Sequence, residues 1–167
     1  MTLMEILVAV SVSAIVLGAA WPWLWAAGRA ARRVDGRAQA ATAAAFAARS
    51  LATDVELSIA LLQPPAGRTP ADCVYLLHRH PGAAPETVLV VWDPVRRVLW
   101  RKTSGTYLAD HVEAFSLEYF GADGHVLGQV DFDDPEWPDS VARLRISIGV
   151  RSSAGTQTDV RDVALRR

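Results

Sequence analysis

The chain has one cysteine, Cys73, among its 167 residues. That excludes an internal disulfide and a cysteine-rich metal centre, and leaves a single thiol that could pair between chains. It has no Ser/His/Asp arrangement, no phosphate-binding glycine loop and no zinc-helix motif, so no catalysis and no cofactor are expected. Neither charge is in excess: the formal net charge is -1 and the isoelectric point about 6.4. Bulk attraction to nucleic acid or anionic lipid is therefore not indicated, local patches aside. No lysine or arginine precedes Arg29, and no ionisable side chain lies between positions 6 and 28. This length suffices for one globular unit beside a membrane segment, but not for two ordinary domains.

The uncharged stretch is the chain's strongest feature. Its roughly 23 residues exceed the roughly 20 that cross a bilayer as a helix. Trp21, Trp23 and Trp25 near its end fit an aromatic belt, which places the membrane boundary near Gly28. A cleavable secretory signal would carry basic residues ahead of the apolar region, and residues 1–4 carry none. A generic anchor would have no need of Glu5. An acid at membrane depth costs on the order of 2.5 to 3.5 kcal/mol and calls for a cation. The candidates are the α-amino group of Met1 and an amine on a neighbouring subunit.

The string Met1-Thr2-Leu3-Met4-Glu5-Ile6-Leu7-Val8-Ala9-Val10 resembles the mature N-terminus of the type IV pilin superfamily. There a dedicated peptidase removes a basic leader, methylates the new N-terminus and leaves glutamate at the fifth position. The resemblance implies that the numbering is that of the processed protein. It also implies that Glu5 neutralises an N-terminal amine, in cis or on an adjacent subunit, as the helix moves from membrane into filament. Pro22 matches a proline common in that family's helix, where it removes a backbone hydrogen bond and kinks or locally melts the helix. Met1 departs from the commoner phenylalanine.

Beyond Gly28, Val34, Ala38, Ala41, Ala45, Ala48, Ala52, Val55, Ile59 and Leu62 recur at helical steps, which predicts an amphipathic continuation lying on a sheet. Gly36 is its weak point, and Pro64-Pro65 stops it. The expected organisation is a membrane or filament-core helix over 1–28, an amphipathic helix over 29–62 and an antiparallel sheet domain over 63–167. The whole helix, about 90 Å long at ~1.5 Å per residue, is expected to protrude by its first half. Strands are predicted at 73–79, 87–92, 95–102, 111–120, 125–132, 143–151 and 156–165, with turns at Asp93-Pro94 and at 121–124. This is an α+β fold, which the resemblance also implies. Within the superfamily, segments 88–103, 111–125 and 137–150 look like those of minor pilins and pseudopilins, the J-type of type II secretion and the W-type of type IV pili. Leu99-Trp100-Arg101 and the Trp137-Pro138-x-x-Val141-x-Arg143-Leu144-Arg145 run carry that likeness. The partners so implied are other pilins, the leader peptidase/N-methyltransferase, the inner-membrane assembly platform and membrane lipid.

Remaining constellations are weaker. His78 and His80 share a strand face and could begin a metal site, but read more simply as a surface pair. Asp131, Asp133, Asp134, Glu136 and Asp139 could offer oxygens to calcium but lack EF-hand spacing, so a solvated acidic loop is expected. Arg29, Arg32, Arg33 and Arg37 suit lipid phosphates, acids on a neighbouring subunit or snorkelling at the bilayer edge. A DNA-uptake subunit would use Arg143, Arg145, Arg151, Arg161, Arg166 and Arg167 as a basic face, diluted by Asp159 and Asp162. A membrane-anchored binding protein that never polymerises is the rival from another class. Trp92, Trp100 and Trp137 are expected in the core or on sheet faces.

Overall fold

 The computed structural model describes residues 2–79, 82, 84–128, 132 and 134–165. They form two units, Met1–Gly36 and Arg37–Arg167.

In the first unit the chain is helical from Leu3 as the start of α1 (Leu3–Leu57). It is long and apolar enough to cross a membrane, and none of its apolar window is buried. Two polar side chains inside that window are satisfied locally: Ser11 Oγ donates to the Leu7 carbonyl and Ser13 Oγ to the Ala9 carbonyl, both at 2.8 Å. The bilayer interior, which offers no water as a partner, demands such pairing. α1 is continuous through Pro22, whose missing N–H leaves the Gly18 carbonyl without its helical donor.

In the second unit α1 continues to Leu57 and is followed by β1 (Ser58–Leu61), β2 (Cys73–His78), β3 (Glu86–Asp93), β4 (Val98–Arg101), β5 (Thr106–Ala109), β6 (Val112–Gly121), a short helix α2 (Trp137–Ser140), β7 (Val141–Ser152) and β8 (Gly155–Ala164). The strands make two antiparallel meanders, β1-β2-β3-β4-β5 and β6-β7-β8, so the single expected sheet is two. Within each sheet every strand pairs with its sequence neighbours. The layout is α+β: residues 37–57 of α1 pack on antiparallel sheets through Ala40, Ala44, Ala47, Ala48, Leu51 and Val55, which join Val74, Leu76, Val90, Leu99, Leu144, Ile146 and Ile148 in one core. Those helical positions follow the 3.6-residue period, and four of the six are alanines, whose small side chains let the helix axis approach the sheets closely.

Several expectations are corrected. The helix ends at Leu57, not 62, because 58–61 pairs with β2 through Ser58, Ala60 and Leu61, with a bulge between Ser58 and Ala60, which the apolar period could not distinguish from one more helical turn. Val34 is 64 % exposed and Ala38 and Ala41 are also exposed, so the buried stripe is displaced from the predicted one. In a run this rich in alanine, polarity contrast barely marks which alanine faces in. β4 begins at Val98, since Asp93 Oδ1 accepts the N–H groups of Val95 and Arg96, both at 3.0 Å, and holds a wider turn. β5 was not foreseen. The described part of 125–132 is not a strand beyond a bridge from Val126 to Phe120; Phe132 instead packs edge-on against Tyr119 and Trp137 at 5.5 and 4.8 Å. A bulge between Val112 and Ala114 brings Val112 and Phe115 together into the core, where simple alternation put them on opposite faces.

Candidate functional site

The N-terminal end of α1 is closed by a reciprocal pair of bonds. Thr2 N–H donates to Glu5 Oε2 at 2.8 Å, and Glu5 N–H donates to Thr2 Oγ1 at 3.4 Å. This is a capping box, in which a threonine and a glutamate three residues on satisfy each other's orphan donors. Its sequence signature is Thr-x-x-Glu ahead of an apolar run. Glu5 therefore has a partner within its own chain, and its charge also lies at the positive end of the helix dipole. Met1 lies outside the described residues.

At the other end of α1 three side chains from strands, Arg101, His78 and Ser58, secure the helix to the sheet. Asp54 is buried at 7 % exposure, one turn from the helix C-terminus, where the dipole disfavours an acid. Arg101 on β4 compensates. Its Nε donates to Asp54 Oδ2 at 3.1 Å, Nη2 donates to the same oxygen, and Nη2 also reaches Ser50 Oγ at 3.3 Å. The terminal carbonyls, which lack helical donors, are met by His78 and Ser58: His78 Nε2 donates to the Asp54 carbonyl and Ser58 Oγ to the Val55 carbonyl, both at 2.7 Å. His78 is thus a buried clasp, not half of a surface pair; His80 is outside the described residues.

The remaining sequence candidates are dispersed. Cys73 is buried, its Sγ 3.4 Å from the Thr69 carbonyl, and burial, then the neighbouring Asp72 charge, push its thiol up to about 12. A buried, protonated thiol is a poor nucleophile, which counts against the pairing between chains that a single cysteine leaves open. Tyr119, also raised by burial, donates to the Pro70 carbonyl at 2.9 Å. Of the acidic loop, Asp131 and Asp133 lie outside the described residues, while Asp134 Oδ1 accepts the Glu136 N–H at 2.9 Å and turns the chain towards α2. Among the described residues no three His, Cys, Asp or Glu side chains converge as a metal would require. Trp137 is buried, Trp92 packs against Phe115 at 6.1 Å and Trp100 stacks on Tyr107 at 6.2 Å, as expected of core and sheet-face residues.

The arginines of the second sheet are largely engaged. Arg145 forks onto Asp162 at 2.7 and 3.1 Å and reaches Glu118 at 3.4 Å. Its hydrogen bond holds the Asp162 carboxyl below the usual range and raises the guanidinium in turn. Arg151 pairs with Glu113, whose carboxyl is lowered first by the Thr156 hydroxyl at 2.6 Å and then by Arg151. Arg161 pairs with Asp159 at 2.7 Å, and Arg143 lies over the Phe120 ring at 4.2 Å. Arg166 and Arg167 are outside the described residues. Near α1's apolar run, Arg29 lies 3.5 Å over the Trp25 ring. Arg37, by contrast, donates to the Ala154 carbonyl at 3.4 Å.

No family model matches the chain, and no curated protein matches it.

Proposed function

We propose that the protein is a structural subunit of a membrane-assembled filament, of the minor pilin or pseudopilin kind. The observation that carries the proposal is the joining of two features in one helix. An apolar span with a single acid, Glu5, at its entrance continues without a break into a segment that forms the core of an antiparallel sheet unit. Such a helix can change surroundings, from lipid to the apolar helices of neighbouring subunits, while the sheet unit stays folded. Glu5 is the charge that distinguishes the two surroundings, because its cost at membrane depth falls when a neighbour supplies an amine. The role is mechanical and needs no catalytic group. Its partners are other subunits of the filament, the leader peptidase/N-methyltransferase, an inner-membrane assembly platform and lipid, with the sheet unit on the exported side. Type II secretion and type IV pili are the two systems it suits. The test is the N-terminal peptide mass of the protein taken from its own host. An α-N-methyl group on Met1 supports the assignment; an unmodified initiator methionine contradicts it.

The capping box favours a second function, a membrane-anchored binding protein that does not polymerise, since it gives Glu5 a local role in starting the helix. Glu5→Gln separates the two: glutamine can still close a capping box but carries no charge. A DNA-uptake role draws less support, because Arg145, Arg151 and Arg161 are already paired with acids. It predicts salt-dependent duplex binding, and no binding at low salt would remove it.

A further inference from the structure

Trp21, Trp25, Gly28 and Arg32 follow one another at steps of four, three and four, and so share one face of α1. Trp21 and Trp25 are 70 % and 56 % exposed. A side chain at Gly28 would meet nothing within 4 Å, so the face is notched there. The result is a shallow cleft of about 230 Å³ lined by Trp21, Leu24, Trp25, Gly28 and Arg32. Arg29 is laid over Trp25 beside it, and Arg33 stands one turn further along. Among the described residues none of these three arginines has a carboxylate within ion-pair distance. The cleft is thus apolar at one end and cationic at the other, at the depth where the uncharged run stops.

A ligand matching both ends is a phospholipid, with its acyl chain along the tryptophans and its phosphate at the arginines. Three unneutralised guanidinium groups favour a headgroup of net negative charge over a zwitterionic one, whose own ammonium would oppose them. Resting on the membrane-spanning reading of α1, we infer that Trp21, Trp25, Arg29 and Arg32 form a binding site for anionic phospholipid at the membrane surface. The cation–π contact holds Arg29 at the apolar boundary, and Arg32 reaches the same headgroup across the gap left by Gly28.

The test uses the full chain reconstituted in nanodiscs of phosphatidylcholine and phosphatidylglycerol at one fixed ratio, with either lipid brominated on an acyl chain. Tryptophan quenching is compared between the two. Brominated phosphatidylglycerol should quench the wild type more strongly. The preference should disappear in R29Q/R32Q/R33Q with helicity unchanged, an arginine at an anionic surface being worth about fivefold in affinity. Equal quenching by both lipids in the wild type overturns the site, as does a preference that survives in the triple variant. No quenching by either lipid overturns the span and the site with it. Because the readout needs no assembly, a failure of the filament assignment leaves this outcome untouched.

Discussion

Asp54 and Arg101 form a charged pair set between helix and sheet, with side chains 11 % and 25 % exposed. Removing one member of such a pair leaves the other charge without compensation, while replacing both by apolar groups restores packing. Asp54→Ala should therefore destabilise the sheet unit by about 3 kcal/mol, read as a lower urea midpoint for the full chain in detergent. Asp54→Leu/Arg101→Met should lose less than that single change. Cys73 supports a second prediction. Its thiol rises from an ordinary 9.0 to about 12 in the folded protein, so the native state holds that proton more tightly than the unfolded chain. The resulting stabilisation is full below pH 9 and is lost as pH rises from 9 towards 12. The thermal midpoint should fall more steeply over that window in the wild type than in Cys73→Ala, and a thiol reagent at pH 8 should label Cys73 only as fast as the protein opens. None of these contacts was legible in the sequence. Nothing in Asp54 or Arg101 taken singly says that they meet across 47 positions, and one cysteine says nothing of its burial. The Thr2–Glu5 box, by contrast, is a local pattern and was there to be read.

The elements divide along the same line. The apolar span, the turns at Asp93 and 121–124 and strands β2, β3, β6, β7 and β8 follow from local patterns, since each carries a strong period or a turn-forming residue. The limits of α1 do not, because the competition between helix and strand at 58–61 is decided by β2, a partner 12 or more positions away. β5 likewise depends on pairing across the sheet, with β4. At the β7–β8 turn Gly155 adopts φ +117°, which side chains rarely tolerate. Gly155→Ala should cost roughly 1–2 kcal/mol in urea unfolding, although a Cβ there would meet nothing within 4 Å. A change near zero would mean that the turn relaxes.

For the whole molecule, the functional question is whether Glu5 starts a helix or also senses a neighbour. A capping box satisfies backbone donors whether or not the side chain is charged, whereas recognition of an amine needs the carboxylate. The α+β layout could be anticipated from hydrophobic periodicity and the apolar run from its length without charge, but in the proposed filament the use made of Glu5 would depend on other subunits. The most direct measurement is the distribution of Glu5→Gln between the membrane fraction and sheared, sedimentable filaments in the native host. The wild type should appear in both fractions, and the variant should remain in the membrane at undiminished abundance. A variant distributed as the wild type, or a wild type absent from the filament fraction, would contradict the assignment.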